Sequence, residues 1–514
     1  MLQIQVSQCF LFFSLILAPS PAGTPPAALT GEPPGSSAAP DPADPLDHGL
    51  TLLRQGYIGD AEKVFERVAA SQPNNPAPHY FHALALWWRT RYEENREDLL
   101  ATFQREAQQA IDLGAGRDDA DSLLTAGSAY MLRAEMRARE KSFFKAGADA
   151  RRGKKALEAA LRRSSAAIDA CFALGAYNYY ADNVSALIKG LRVFLFIPGG
   201  NASLGVRQLE KVAARGDRMR LEASLLLAVI YASPKQEKYD LALSHLQRAL
   251  AQVPASPSAQ LALARLLDGT AQEEGAVRTL ETFLGSREAR RRDYAANLRA
   301  EAAMHLARIH IRRARPRQAE TVLLDALSGT PGQASRGVLP ARSMLLRLEW
   351  DLGESQRGAQ LAAQWGLAWP PGGAGKPCTL GQLQPLGRLE QEMARRHVDW
   401  SEAANEVRRL AGPPPGCDGL ASPRLDLALG TAHFLAGDLA GATALLGAAA
   451  RDEAADGQTL GTARLQMGRI AAIQGRMEAA RQWFQLASKT HGYGNRILGR
   501  YYLSQPQEML HGRW

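Results

Sequence analysis

The stretch GLTLLRQGYIGDAEKVFERVAASQP, Gly49–Pro73, decides the architecture. Its apolar residues recur at helical spacing on either side of Gly56. Gly49 is small where two helices would cross closely. Gly56 supplies the left-handed residue that ends a first helix. Ala61 lets a second helix pack tightly, Phe65 fills the gap between the two, and Pro73 stops the second helix.

The same pattern returns along the chain. Asp240–Pro254 carries Ala242, Leu246, Ala249 and Pro254, and Gln318–Pro331 carries Ala319, Leu323, Ala326 and Pro331. Leu429, Gly430, Gly437, Ala442, Leu446 and Ala449 repeat it, as do Gly468, Gly475, Ala480, Phe484 and Ala487. Ala264, Leu267, Ala276 and Leu280 form a looser copy, and Gly353, Gly358 and Ala362 one too degenerate to count. The unit is a helix–turn–helix of about 34 residues and resembles the tetratricopeptide repeat. The resemblance covers most of the chain. It implies an all-α fold, a right-handed α-solenoid in which each repeat buries its apolar face on its neighbours. The block Leu174–Tyr239 is similar to one in bacterial exported tetratricopeptide proteins of unassigned function. That implies an extracytoplasmic solenoid and carries no ligand with it.

Outside the repeats the sequence changes character. Phe10–Leu17 (FLFFSLIL) is an apolar run of signal-peptide length, followed by the small residues Ser20 and Ala22. The expectation is a signal peptide over 1–22, cleaved before Gly23, and a periplasmic or secreted protein. The basic residues that usually open such a signal are missing, so a cytoplasmic location stays open as the alternative. Residues 23–45 are rich in Pro and Ala and read as a flexible tether. The solenoid is expected over 46–369, with elongated helices in 81–200, one of them running unbroken through Asp118–Lys145. Residues 370–385 read as a linker and 386–514 as C-terminal repeats ending in a capping helix.

Composition narrows the class. The 514 residues are 46 % apolar and 22 % charged, which fits a folded chain with small core residues. The net charge is +9, but acidic residues are interspersed throughout, so the sequence does not read as a nucleic-acid binder. Arg151–Lys155 (RRGKK) reads as a solvated face or turn. Four cysteines exclude a disulfide-built scaffold. Export would allow Cys378 and Cys417, in loop-like sequence, to pair; Cys171 sits in an apolar helix pattern and reads as a buried thiol.

No catalytic, metal or cofactor constellation is legible. His79 and His82 share a helix face without a third ligand and read as repeat packing. Asp118, Asp119 and Asp121 open a helix and read as capping and dipole compensation. Gly199-Gly200 lacks the Lys and Ser/Thr of a phosphate loop. The expected function is a non-enzymatic scaffold that grips a protein or peptide partner in a concave groove. Candidate contacts are Tyr177, Tyr180, Lys189, Arg192, Phe194 and Phe196. The apolar run Val193–Ile197 either buries or forms a lip for a membrane surface, with Lys189 and Arg192 favouring anionic headgroups. A peripheral membrane-associated assembly factor and a divergent enzyme stand as alternatives.

Overall fold

The computed structural model describes residues 44–93, 97–183, 199–233, 235–328, 337–371, 381–410, 423–490 and 495–504. Among them every regular element is a helix. They form two compact units. The first holds the described residues up to Tyr231 together with Leu241–Ala262, and the second holds Ala232–Asp240 and those from Leu263 onward.

The first unit opens with α1 (Pro45–Gln55) and α2 (Ile58–Ser71), the hairpin of the opening stretch. Asp44 accepts a hydrogen bond from the Leu46 amide at 2.9 Å and so caps α1. Gly56 ends it at φ 90°, a conformation that strains any residue with a Cβ. A Cβ on Gly49 would lie 2.4 Å from the Phe65 ring, so glycine is what lets that ring fill the gap. Phe65 is fully buried, which stabilises the pair by roughly 1.5–3 kcal/mol.

Hairpins α3 (Pro76–Arg89) with α4 (Glu97–Ala115), α5 (Ala120–Arg139) with α6 (Phe143–Arg163), and α7 (Ala170–Asp182) with α8 (Ala202–Arg215) follow. Here the close crossing is kept with longer helices. Gly127 of α5 meets Leu157 of α6, and Gly175 of α7 meets Leu209 and Gly205 of α8. The expected single helix over Asp118–Lys145 is broken. Lys141 turns the chain at φ 62°, and α6 begins at Phe143. No glycine or proline marks that turn, which is why periodicity ran straight through it. The RRGKK run lies inside α6, with Gly153 against the Gly127 carbonyl and Arg151 and Arg152 exposed. After α8 come α9 (Arg220–Tyr231) and α10 (Tyr239–Gln252).

From α11 (Pro257–Gly269) onward the rule is the same. The second unit contains α12 (Glu273–Gly285), the short α13 (Glu288–Arg291), α14 (Ala295–Arg312), α15 (Pro316–Leu327), α16 (Leu339–Leu352) and α17 (Ser355–Trp365). Next are α18 (Gln384–Arg396), α19 (Ala404–Arg409), α20 (Pro423–Leu435), α21 (Leu439–Arg451), α22 (Gly457–Ile473), α23 (Met477–Lys489) and α24 (Asn495–Ser504). The small second-helix positions Ala276, Ala319, Ala442 and Ala480 are fully buried. Gly353, Gly437 and Gly475 have φ near +75° and end α16, α20 and α22. The degenerate Gly353–Ala362 copy is therefore a true hairpin, α16 with α17, and Ala362 is buried in it. α24 covers the last hairpin, where the Tyr502 ring stacks on Phe484 with centroids 4.7 Å apart. The chain is an all-α repeat solenoid.

Candidate functional site

The starts of α1, α3, α5, α7 and α9, the leading helices of the first unit, converge on one cavity of about 840 Å³. Leu46, Tyr80, Phe81, Leu124, Phe172 and Met219 give it apolar wall. Asp121, Ser122, Ser128, Arg117 and Arg218 give it polar wall. Such a place is predisposed to positive potential, because each helix start presents unpaired amides. Here most are already answered. Asp44 serves α1, Asn75 accepts from Ala77 N at 3.0 Å in α3, and Asp119 accepts from Ser122 N at 2.8 Å in α5.

The start of α9 is served from a distance. The Asp169 carboxylate, at the foot of α7, accepts from the amides of Asp217 at 3.0 Å and Arg218 at 2.8 Å. Burial pushes this carboxyl up from its usual range, against the pull of those amides. Gly216 makes room: a Cβ there would lie 2.7 Å from Asp169 Oδ1.

Ion pairs then close the rim. Arg218 Nε donates to Asp47 at 2.7 Å and its Nη2 pairs with Asp44. Arg54 forms a two-pronged bridge to Glu222, 2.8 Å on each arm. The first and ninth helices are thereby tied across the cavity. Sequence reading missed all five of these charged residues. Asp44 fell within the tether expected over 23–45, and nothing in the sequence pairs it with Arg218.

The residues singled out from sequence are placed as follows. Tyr177 is 2 % exposed and packs among Ala134, Ala150 and Ala181, with the Lys154 ammonium 5.9 Å from its ring centroid. Tyr180 is buried, with the Tyr179 ring edge-on at 5.2 Å. Both are packing residues of α7 and line no part of the cavity. Lys189, Arg192, Phe194 and Phe196, the whole Val193–Ile197 run, Cys378 and Cys417 lie outside the described residues, as do 1–43. Cys171 is a buried free thiol, and burial pushes its titration up.

The histidine pair is packed, as read from the sequence, and both rings share a carboxylate. His79 Nδ1 lies 2.8 Å and His82 Nδ1 3.5 Å from Glu106 Oε2. Burial alone would raise the Glu106 carboxyl, but the two imidazoles hold it well below the usual range. Among the described residues no group of three His, Cys, Asp or Glu is arranged to hold a metal ion. Asp119 does cap α5, and Asp118 pairs with Arg163 of α6.

Residues 235–301 match the tetratricopeptide repeat family. That stretch therefore carries tetratricopeptide repeats. No curated protein matches the sequence. Among solved structures, this repeat protein is similar to the P58(IPK) TPR domain, at 14 % identity over 90 % of this chain and 98 % of that one, TM-score 0.19. It is similar to yeast Tom70 at 12 % identity, covering 91 % and 96 %, TM-score 0.20. It is similar to Naa15/Naa10 bound to HypK at 13 % identity, covering 89 % and 70 %, TM-score 0.21. Identities this low say nothing of what this repeat protein binds. No helix among its described residues is long and apolar enough to cross a membrane.

Proposed function

We propose that this protein is a non-catalytic scaffold that holds a segment of a protein partner in the cavity of its first unit. The observation that carries this is the convergence of five leading-helix starts on one cavity of about 840 Å³, walled by both apolar and polar side chains. A space of that size takes several residues of an extended or helical segment, and its preformed wall lowers the ordering cost of binding. The carboxylates nearby are committed to amides, guanidiniums and imidazoles, so they favour holding over chemistry.

The test is site-specific photocrosslinking. A benzophenone side chain at Asp121 or Leu124, inside the cavity, is expected to capture a defined partner peptide. The same group at Lys63, exposed on α2, is the outward control. Equal capture at all three positions would refute the cavity as the site.

An exported location is part of the same proposal and rests on the apolar run Phe10–Leu17 with small residues after it. Sequencing the mature N-terminus checks it: a start at Gly23 is expected, and a retained Met1 would overturn it.

A further inference from the structure

We propose that the second unit carries a separate site for a small carboxylate with an apolar body, held by Trp400 and Arg315. A pocket of about 260 Å³ opens between the turn at Asp399–Ser401, the end of α14, the end of α20 and α22. Its charged groups are nearly all engaged. Arg312 pairs with Asp268 and with Glu273 at 3.0 Å, and Arg313 pairs with Glu273 at 3.0 Å and Glu274 at 2.6 Å. The Asp399 carboxylate accepts from the Ser401 and Glu402 amides.

Of the donors that remain, two decide the chemistry. Trp400 is 6 % exposed, and its indole N–H is buried without a hydrogen-bond partner among the described residues. An indole can only donate, and buried donors in folded proteins are nearly always paired. Arg315 lines the same pocket; its charge is felt by the Glu390 carboxyl, but it makes no ion pair or side-chain hydrogen bond among the described residues. Two spare donors, one of them cationic, call for an anionic acceptor with more than one lone pair, which is what a carboxylate offers. Phe434 and Leu435 with the indole ring form an apolar wall for the rest of the molecule. The volume sits below the range of drug-sized pockets, so the ligand is small. The turn that carries Trp400 is exposed at His397, Asp399, Ser401 and Glu402.

The probe pair is phenylacetate and phenylacetamide, alike in shape and different in charge. Titration calorimetry on the full chain, with Trp fluorescence as a second readout, is expected to show saturable binding of phenylacetate alone. Trp400→Phe keeps the ring and removes the donor; Arg315→Gln keeps a polar chain and removes the charge. Each is expected to weaken binding by about tenfold or more, with unchanged helical content by circular dichroism. Absent binding, equal binding of the amide, or either variant leaving affinity unaltered would overturn the site. A partner that still enters the cavity of the first unit would leave the scaffold proposal standing in every one of those cases.

Discussion

Phe484 lies so close over Gly468 that a methyl group on that α-carbon would stand 2.5 Å from the ring. Phe484 is itself fully buried and stacked on Tyr502, so the ring has no room to retreat. Gly468→Ala is expected to cost about 1–3 kcal/mol through overpacking. Urea unfolding of the pair Gly468→Ala and Gly468→Ala/Phe484→Leu checks this. The second change should recover part of the loss, because a smaller side chain returns the space.

Gly475, seven positions later, separates backbone from packing. Its φ is +73° and nothing lies within 4 Å of where a Cβ would be. Gly475→Ala should cost about 1 kcal/mol from left-handed strain alone. No change at Phe484 should rescue it, and thermal unfolding of the double variant would show the two effects adding.

Asp169 predicts a stability loss at a helix it does not belong to. Asp169→Ala removes the acceptor for two amides at the start of α9, which should cost about 1–2 kcal/mol. Hydrogen exchange is expected to quicken over Asp217–Glu222 while α23 keeps its protection. Asp169→Asn retains one good acceptor oxygen and should lose about half as much.

Glu135 predicts a pH dependence. It is 1 % exposed, its Oε2 accepts from the Trp87 indole, and burial pushes its carboxyl up to about 7 despite the nearby Arg139 and Arg91. Between the unfolded value near 4.5 and about 7 the folded chain holds a proton that the unfolded chain has lost. Stability therefore falls as pH rises through that window, by roughly 3 kcal/mol at most, and is flat for this group above it. Glu135→Gln should match the wild type near pH 4.5 and exceed it in stability at pH 8. Denaturation midpoints at the two pH values measure the crossing.

The repeats were legible because each reuses three local requirements: a small residue at the crossing, a left-handed cap, and a small residue in the second helix. Gly49, Gly56 and Ala61 state all three within one hairpin, and the structure repeats them at Gly430, Gly437 and Ala442. Where a requirement is met by an unusual residue, sequence reading failed. Lys141 takes the left-handed turn between α5 and α6, and no pattern announces it. The cavity was illegible for a different reason. Its wall comes from five helix starts, and its rim from Asp44 with Arg218 and Arg54 with Glu222. Those pairings depend on how the hairpins stack, which local periodicity does not encode. The tyrosines of α7 stood out for their composition, but aromatic rings in a repeat of small residues are needed first as filler.

The tie between α1 and α9 changes how the first unit comes apart. A linear array of repeats frays from its ends, because the terminal repeat has a neighbour on one side only. Here α1 has a second neighbour far along the chain, through Arg54 with Glu222 and Arg218 with Asp47. Peeling α1 away breaks both contacts at once, and it also uncovers Leu50, which is 1 % exposed. The hairpin of α1 and α2 thereby shares the cooperativity of the ninth helix, more than a hundred and fifty positions further on.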